Sequence, residues 1–352
     1  MITLLFFYPW RLPELMTVEE WFSTSPWYSG EIEASLIYHP SYFSIYGERA
    51  KTMFLSEDVP GGGIGGAWTS RKFGIEGFGY YCSPSIFTDI FFLKLASAFK
   101  IYKGLTFGAG MEIWYGEFLS TYLEDDTTVE SKEFFKTRSF FISLYHPLAG
   151  GISAGKIVGE VSPFFETRSP SYQTYAVRYA LERSFKNITF APSFKYFYQH
   201  ENKVHAVEVR IKARRKFSHL ITWLSMEYYH NVRYPSLQQH LLTFLPLENY
   251  YFEYYMYETP NFFGIAGAVQ IIFQPMRFSF LYHTYIRDKL IGGFTYLKYL
   301  KYEISLSLKT FCVSISHTEF QFRFPAEDYT GHSYHYTSLL VSIPFARGGV
   351  IF

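Results

Sequence analysis

Apolar and polar residues alternate one by one along several long segments of this chain. Between residues 204 and 214, one set of alternate positions is apolar: Val207, Val209, Ile211 and Ala213. The other set is charged: Glu208, Arg210, Lys212 and Arg214. A period of two is the repeat of a β-strand, whose successive side chains point to opposite faces. This segment is therefore predicted to be a strand with one apolar face and one charged face.

The same alternation recurs along much of the chain, most clearly in residues 105–117, 188–199, 278–286, 302–308 and 335–345. Several of these segments reach ten residues or more. Strands of globular proteins are most often about 5–6 residues long, whereas a tilted strand that crosses a bilayer needs about 9–11. We count roughly eighteen candidate strands and predict an even number from 12 to 18, with 14 or 16 preferred.

The connections between these segments fall into two length classes. Short turns are predicted at 102–104, 147–151, 182–186, 214–218, 258–261 and 287–289, and longer loops at 56–62, 119–132, 231–246 and 325–331. Outer-membrane barrels combine short periplasmic turns with longer external loops. The connection lengths therefore favour a barrel that crosses a membrane.

Composition narrows the class further. The 38 Phe, 32 Tyr and 6 Trp make the chain 22% aromatic, and only 18% of its residues are charged. Such a chain can bury enough apolar surface to fold, which excludes intrinsic disorder. No apolar run approaches the roughly 18 residues of a transmembrane helix. A net charge of +1 without a long basic stretch excludes a nucleic-acid partner.

Three features favour an apolar face in lipid over an apolar core. Tyr and Phe gather towards the predicted strand ends, where amphipathic rings suit the headgroup boundary. The polar faces carry Gly, Ser, Thr and charges of both signs, as in a wet lumen. No long amphipathic helix could cover an open sheet, and closing the sheet removes its edges. The predicted fold is all-β: a single closed antiparallel transmembrane barrel with an N-terminal plug-like segment.

The domain organisation follows from the same reasoning. Residues 1–30 are assigned to an N-terminal segment, either a plug or an incomplete signal region, and residues 31–352 to the barrel. The apolar stretch 1–10 lacks the basic start and the small-residue cleavage site of a signal peptide. We expect either that the true start lies upstream or that a presequence has been removed, and favour both over a protein that is not exported.

Two parts of the chain resemble known bacterial barrels. The segment Tyr8-Pro9-Trp10-Arg11-Leu12-Pro13-Glu14-Leu15, followed by Ser25-Pro26-Trp27, resembles the Asn-Pro-Ala-x-Leu opening of FadL-like and PorV-like outer-membrane barrels, with Tyr8 and Trp10 in place of the Asn and Ala. The stretch from Gly331 to Phe345 is similar to their final strand, and the chain ends on Phe352. The resemblance implies an N-terminal plug, a barrel of about 14 strands, an outer-membrane location and contact with the barrel-assembly machinery.

Two groups of residues are candidate functional sites. The lumen-lining candidates are Glu208, Arg210, Lys212, Arg214 and Glu112, which would either shape solute passage or fill the lumen as a packed salt-bridge network. The aromatic candidates are Tyr251, Tyr255 and Tyr257, which alternate on one face. These rings would either stack on a solute or belong to an aromatic girdle, and the girdle is favoured.

Other chemistry is expected to be absent. His332 and Ser333 are adjacent, so on a strand they point to opposite faces, and a nucleophile with its base needs them together. The glycine-rich segment 61–66 lacks the Lys-Ser/Thr of a phosphate loop and is interpreted as a flexible loop entering a strand. No enzymatic activity, metal site or cofactor is predicted.

The functional hypothesis is an integral outer-membrane β-barrel of a diderm bacterium that acts as a porin-like channel or transporter for small or hydrophobic solutes. One alternative is a plugged structural barrel that serves a secretion or surface-attachment partner. Another is a soluble all-β ligand-binding protein. The expected partners are outer-membrane lipid, lipopolysaccharide and the barrel-assembly machinery, together with an unidentified solute or protein.

Overall fold

The described residues form seventeen antiparallel strands in one sheet. The computed structural model of the chain describes residues 18, 33–38, 41–51, 58–82, 88–124, 127–161, 171–200, 203–230, 261–287, 296–308, 310–323 and 332–344. The strands are β1 (Tyr42–Lys51), β2 (Asp58–Thr69), β3 (Phe73–Cys82), β4 (Thr88–Tyr102), β5 (Leu105–Glu124), β6 (Thr127–His146), β7 (Gly150–Val161), β8 (Ser171–Ala180), β9 (Arg183–Phe185), β10 (Ile188–Gln199), β11 (Val204–Lys216), β12 (Leu220–His230), β13 (Asn261–Phe273), β14 (Met276–Arg287), β15 (Tyr296–Ser307), β16 (Cys312–Arg323) and β17 (His332–Pro344).

The strand pairings run in a complete ring. Strand β1 pairs with β2 on one side and with β17 on the other, so the first and last strands join. Strands β8 and β9 both pair with β10 in one register, since Ala180 lies opposite Ser193 and Arg183 lies opposite Phe190. Counting β8 and β9 as one interrupted strand gives a ring of 16 strands in the part of the chain that the structure describes. This confirms the predicted all-β fold and one of its two preferred strand counts.

The interruption between β8 and β9 has a local cause. The backbone N–H of Leu181 donates to the carbonyl of Pro192 at 3.0 Å. Proline has no N–H, so Pro192 cannot return the second hydrogen bond that this pair would otherwise exchange. The ladder therefore breaks at residues 181–182 and resumes in the same register at Arg183.

Seven short connections lie at one end of the ring and define what we call the short-turn rim. The rim comprises residues 69–73, 100–105, 146–150, 181–188, 215–220, 272–277, 307–308 and 310–312. The predicted turns at 102–104 and 147–151 fall in it. The predicted turn at 287–289 does not, because Arg287 ends β14 at the opposite end of the barrel.

Two segments that the sequence suggests as loops are strands. The glycine-rich segment 61–66 lies within β2, paired with β1 and β3. Residues 119–124 and 127–132 extend β5 and β6 to 20 residues each, in register from Glu124 opposite Thr127 down the hairpin. In both places the backbone pairing continues although the sequence lacks a regular alternation of apolar and polar residues.

The distribution of side chains is the reverse of that in a soluble protein. Large apolar side chains on one face of the wall are exposed, such as Ile142 (58%) and Met226 (59%), whereas the charged side chains of Lys195, Glu208 and Lys301 on the other face are at most 1% exposed. In a closed ring the buried face is the inner one. An outward apolar surface of this extent needs lipid around it, which argues against the soluble alternative.

Helical structure is minor among the described residues, and none of it is long and apolar enough to cross a membrane. A 3-10 helix at Glu33–Tyr38 packs against inward-facing residues of β2 to β7. We refer to it as the lumen helix.

Candidate functional site

A connected set of polar and charged side chains lies along the inner face of one sector of the ring, near the middle of the wall. The Lys195 ammonium lies 3.2 Å from Oε2 of Glu208, and the Arg210 guanidinium lies 3.1 Å from Oε1 of the same carboxylate. Arg210 also reaches Oε1 of Glu227 at 3.2 Å, and Nε2 of His283 lies 3.3 Å from Oε2 of Glu227. We call these five residues, which come from β10, β11, β12 and β14, the lumen charge network.

Strand register brings the network together. Lys195 lies directly opposite Glu208 across the β10–β11 pair, and Arg210 lies opposite Glu227 across the β11–β12 pair. Residues directly opposite one another in an antiparallel pair have Cβ atoms about 4.5–5.5 Å apart, which suits charge pairing. The hydroxyl of Ser225 adds a hydrogen bond to Oε1 of Glu227 at 2.9 Å.

Because these side chains are buried, each charge of the network depends on its partners. The side chains of the network are at most 5% exposed. A buried charge is tolerated only with partners, because removing it from water costs several kcal/mol per ion. Glu208 compensates two cations at once, so it is the residue on which this half of the network depends.

A second buried ion pair lies across the lumen on β3 and β4. The Lys94 ammonium is 2.9 Å from Oε1 of Glu76, and both side chains are at most 4% exposed. Glu112 of β5 lies directly opposite Lys94 and is also buried. Charges of both signs therefore line the inner face on both sides of the barrel.

The structure places the lumen-lining candidates as follows. Glu208, Arg210, Lys212 and Glu112 are buried on the inner face. Arg214 is half-buried on the same face of β11, and its guanidinium donates to Oγ1 of Thr189 at 3.4 Å. That these residues govern solute passage stays a prediction. The aromatic candidates Tyr251, Tyr255 and Tyr257 lie outside the described residues.

Aromatic rings cover the inner face of the glycine-rich strand β2. A Cβ atom added at Gly63 would lie 3.1 Å from the Phe78 ring, and one at Gly65 would lie 2.6 Å from it. Glycine at these positions therefore lets the Phe78 ring of β3 lie over the backbone of β2. With Tyr80 and Phe92, also buried on the inner face, Phe78 forms an aromatic patch beside Lys94.

A similar stack occurs on β6 to β8. The Phe141 ring occupies the space that a side chain at Gly155 would need. The Arg178 guanidinium lies 4.2 Å from the centre of the Phe141 ring. This cation–π contact holds a buried arginine against the wall, so the lumen combines aromatic and charged surfaces.

The lumen helix occupies the inside of the barrel towards the short-turn rim. Leu36 and Ile37 pack against Ala67 and Ala98 of the inner wall. The backbone N–H of Ala34 donates to Oγ of Ser143 at 2.8 Å. The helix takes up space inside the ring, so it narrows the lumen on the side of β2 to β7.

Another N-terminal residue reaches the opposite side of the lumen. The backbone N–H of Val18 donates to Oε2 of Glu303 on β15 at 3.2 Å, and Val18 is fully buried. Oε1 of the same carboxylate accepts a hydrogen bond from Ser305 at 3.1 Å. The division of the chain at residue 30 stays a prediction, although Val18 and the lumen helix both contact the inner wall.

Sequence reasoning missed six further buried titratable side chains of the inner face. These are Lys195, Glu227, His283, Arg178, Lys94 and Glu76. For Lys195 a signal was present, because it alternates with the apolar residues of the neighbouring strand and a hairpin places it beside 204–214. His283 and Glu227 come from strands separated by residues 231–275, so only the folded ring brings them together.

Two histidines lie on the outer face near the predicted final strand. The rings of His317 and His335 stack with centroids 5.6 Å apart, and Nδ1 of His317 lies 3.3 Å from Oγ1 of Thr337. The part of the chain that the structure describes contains no group of three or more potential metal ligands. The expectation that the chain is not an enzyme stays a prediction.

Comparison with known proteins supports the fold. No protein-family profile matches the sequence, and no curated protein matches it. Among solved structures, the chain is similar to CdiB from Acinetobacter baumannii, with a TM-score of 0.58 and 7% identity over 86% of this chain and 60% of that one. It is also similar to CymD, a monoaromatic hydrocarbon channel, with a TM-score of 0.52 and 10% identity over 93% of this chain and 94% of that one.

These likenesses show a shared architecture. The chain spans less than two thirds of the CdiB chain and nearly the whole length of the CymD chain. With the closed ring and the inside-out distribution of side chains, they place this chain in the general class of outer-membrane-type β-barrels.

Proposed function

We propose that the chain is an outer-membrane channel for small solutes, with a lumen that is narrowed by the charge network and by the lumen helix. The observation that carries the proposal is the placement of Lys, Arg, Glu, Ser and Thr at the inner positions of mid-wall, inside an apolar outer surface. Polar groups of both signs give water and polar solutes hydrogen-bonding partners along the axis. Short turns at one end of the ring support outer-membrane residence.

The route that we propose for solutes runs along the barrel axis. Each strand of the described ring is hydrogen-bonded to both neighbours, including β1 to β17 over ten residue pairs, so the described wall offers no lateral gap. The inner aromatic patch of Phe78, Tyr80 and Phe92 would favour solutes with an apolar part. A closer relationship to FadL-like or PorV-like barrels remains part of this proposal, supported by the opening and closing segments of the sequence.

A plugged structural barrel is the second candidate. Two observations favour it: the side chains of the lumen charge network are at most 5% exposed, and Val18 and the lumen helix contact the inner wall. Such a barrel would anchor a secretion or surface-attachment partner and would not conduct. The two candidate functions differ in one respect. In a channel, the contacts inside the lumen must leave or open a path for solutes, whereas in a plugged barrel they stay closed.

Conductance separates the two candidates. Purified protein refolded into planar bilayers is expected to give discrete current steps in 1 M KCl, because a polar lumen passes ions once it is hydrated. The steps should be smaller than those of an open 16-stranded porin tested in parallel, since the lumen is packed. A barrel that inserts but stays silent over many insertions would exclude the channel and favour the plugged scaffold.

Substitution of Gly108 by alanine tests whether the lumen helix narrows the path. A Cβ at Gly108 would lie 2.6 Å from Cα of Ala34 and 2.7 Å from Oγ of Ser143, so the helix must shift away from the wall. We expect G108A to lower the single-channel conductance measurably, because a helix displaced from the wall moves towards the axis of the barrel. Gly79 is the matched control, because its added Cβ meets nothing within 4 Å; G79A should conduct as the wild type does. Equal conductance in all three proteins would mean that the lumen helix does not limit the current.

A further inference from the structure

The short-turn rim is strongly basic. Its described residues contain nine lysines and arginines and one acidic residue, Glu182. The nine are Arg71, Lys72, Lys100, Lys103, Arg183, Lys186, Arg215, Lys216 and Arg277. Because the whole chain carries a net charge of only +1, the rest of the molecule must be acidic in compensation. Positive charge is therefore concentrated at this rim relative to the rest of the chain.

The basic residues are distributed around the ring. They occur in five of the seven turns: β2–β3, β4–β5, β9–β10, β11–β12 and β13–β14. Seven of the nine side chains are exposed, and Arg183 and Arg277 are half-buried. A ring of this kind matches a surface that surrounds the barrel, whereas a partner docked on one side would need the charges in one sector.

Exposed aromatic rings accompany the bases at the same rim. The most exposed are Phe185 (69%), Tyr102 (63%) and Phe273 (62%). Lys103 lies 5.0 Å from the centre of the Tyr102 ring, and Arg215 lies 4.7 Å from that of Phe217. Aromatic rings and snorkelling cations are the side chains that suit the boundary between acyl chains and headgroups.

We propose that the short-turn rim binds the phosphate headgroups of anionic phospholipid in the leaflet that it faces. This inference rests on the proposed membrane residence and names a lipid partner for it. Basic side chains held at a bilayer surface attract anionic lipid over about a Debye length. The apolar wall directly above the rim holds the acyl chains of the same lipids.

One sector of the rim combines three basic residues with an exposed tryptophan. Arg71 and Lys72 lie in the β2–β3 turn, and the backbone N–H of Lys100 donates to the carbonyl of Lys72 at 2.8 Å. None of the three side chains forms an ion pair with a described residue. Trp68, 56% exposed on the outer face, lies beside them with its ring 6.3 Å from that of Phe73. Trp68 can therefore report which lipid occupies this sector.

The experiment is fluorescence quenching by brominated lipid. The protein is reconstituted in phosphatidylcholine vesicles that contain a small equal fraction of either dibromo-phosphatidylglycerol or dibromo-phosphatidylcholine. Subtracting the signal of W68F isolates Trp68. From the quenching of Trp68 at low salt, we expect the apparent association constant of brominated phosphatidylglycerol to be at least about threefold higher than that of brominated phosphatidylcholine. The preference should vanish at about 1 M salt, where the Debye length is about 3 Å.

Two matched triple variants locate the effect. In R71Q/K72Q/K100Q, the two brominated lipids should quench Trp68 equally. K136Q/R138Q/K156Q removes the same charges from the outer faces of β6 and β7, away from the rim, and should keep the wild-type preference. Loss of the preference in both variants would indicate net charge as the cause and overturn the assignment to the rim, as would equal quenching in the wild type.

A gel run on the same samples separates this inference from the proposed function. Folded barrels resist dodecyl sulfate until heated, so a heat-dependent shift in migration verifies insertion for each variant. Wild-type protein that inserts but shows no lipid preference contradicts the inference alone. Protein that inserts into neither kind of vesicle contradicts the proposed membrane residence, and with it the inference.

Discussion

Replacement of Met226 by arginine is expected to destabilise the barrel by about 2–4 kcal/mol in lipid. Met226 lies on the outer face of β12 opposite Ile211, with 59% of its surface exposed. In a soluble protein, an arginine at such an exposed site would change stability by about 0.5 kcal/mol or less. Urea-dependent unfolding of M226R in lipid vesicles, followed by tryptophan fluorescence, measures the difference.

The control for M226R places the same residue outside the bilayer. Ser218 is exposed in the turn between β11 and β12, so S218R should unfold at nearly the wild-type urea concentration. If M226R and S218R have the same stability, the outer face of β12 does not lie in hydrocarbon, and the membrane assignment of this wall is wrong.

Replacement of Glu208 by glutamine is expected to cost about 3–5 kcal/mol, because it removes one partner from a buried charge network. The change keeps the shape of the side chain and withdraws the negative charge that Lys195 and Arg210 share at 3.2 and 3.1 Å. The measurement is again urea unfolding in vesicles, with circular dichroism verifying that the folded state remains a β-barrel.

Glu160 provides the matched control for this variant. It is exposed on the outer face near the end of β7, so E160Q should change the free energy of unfolding by about 0.5 kcal/mol or less. A stability of E208Q equal to that of E160Q would mean that water reaches Glu208 and screens its charge. The network would then line an open, hydrated lumen.

The alternation of apolar and polar residues was sufficient to predict the strands that have one polar face and one apolar face. In β11 the charged residues Glu208, Arg210 and Lys212 fall on one face and the apolar ones on the other, and the structure buries the first face inside the ring. The excess of aromatic residues has the same origin, since most of the large apolar side chains that are exposed on the described outer wall are Phe, Tyr, Ile and Leu.

Other parts of the fold depend on contacts that no local pattern contains. The inner glycines of β2 are explained by the rings of Phe78 and Tyr80 on the next strand, which need the space. The pair of His283 with Glu227 depends on the ring order of β12, β13 and β14. The position of the lumen helix follows from its fit against Gly108, 70 residues or more further along the chain. Burial between distant segments decides all three.

The basic character of the short-turn rim depends on both the local sequence and the folded ring. Each lysine or arginine is visible in the sequence, and the whole-chain charge of +1 conceals their arrangement. Only the topology, which places seven turns at one end, gathers them into a ring with Tyr102, Phe185 and Phe273.

The central claim is that this chain is a β-barrel that crosses a lipid bilayer. The most direct test is gel migration of membrane-extracted protein with and without heating in dodecyl sulfate, together with its sedimentation after a carbonate wash. We predict that the protein sediments with membranes and that the unheated sample migrates differently from the heated one. A protein that stays in the supernatant, with identical migration in both samples, would contradict the account.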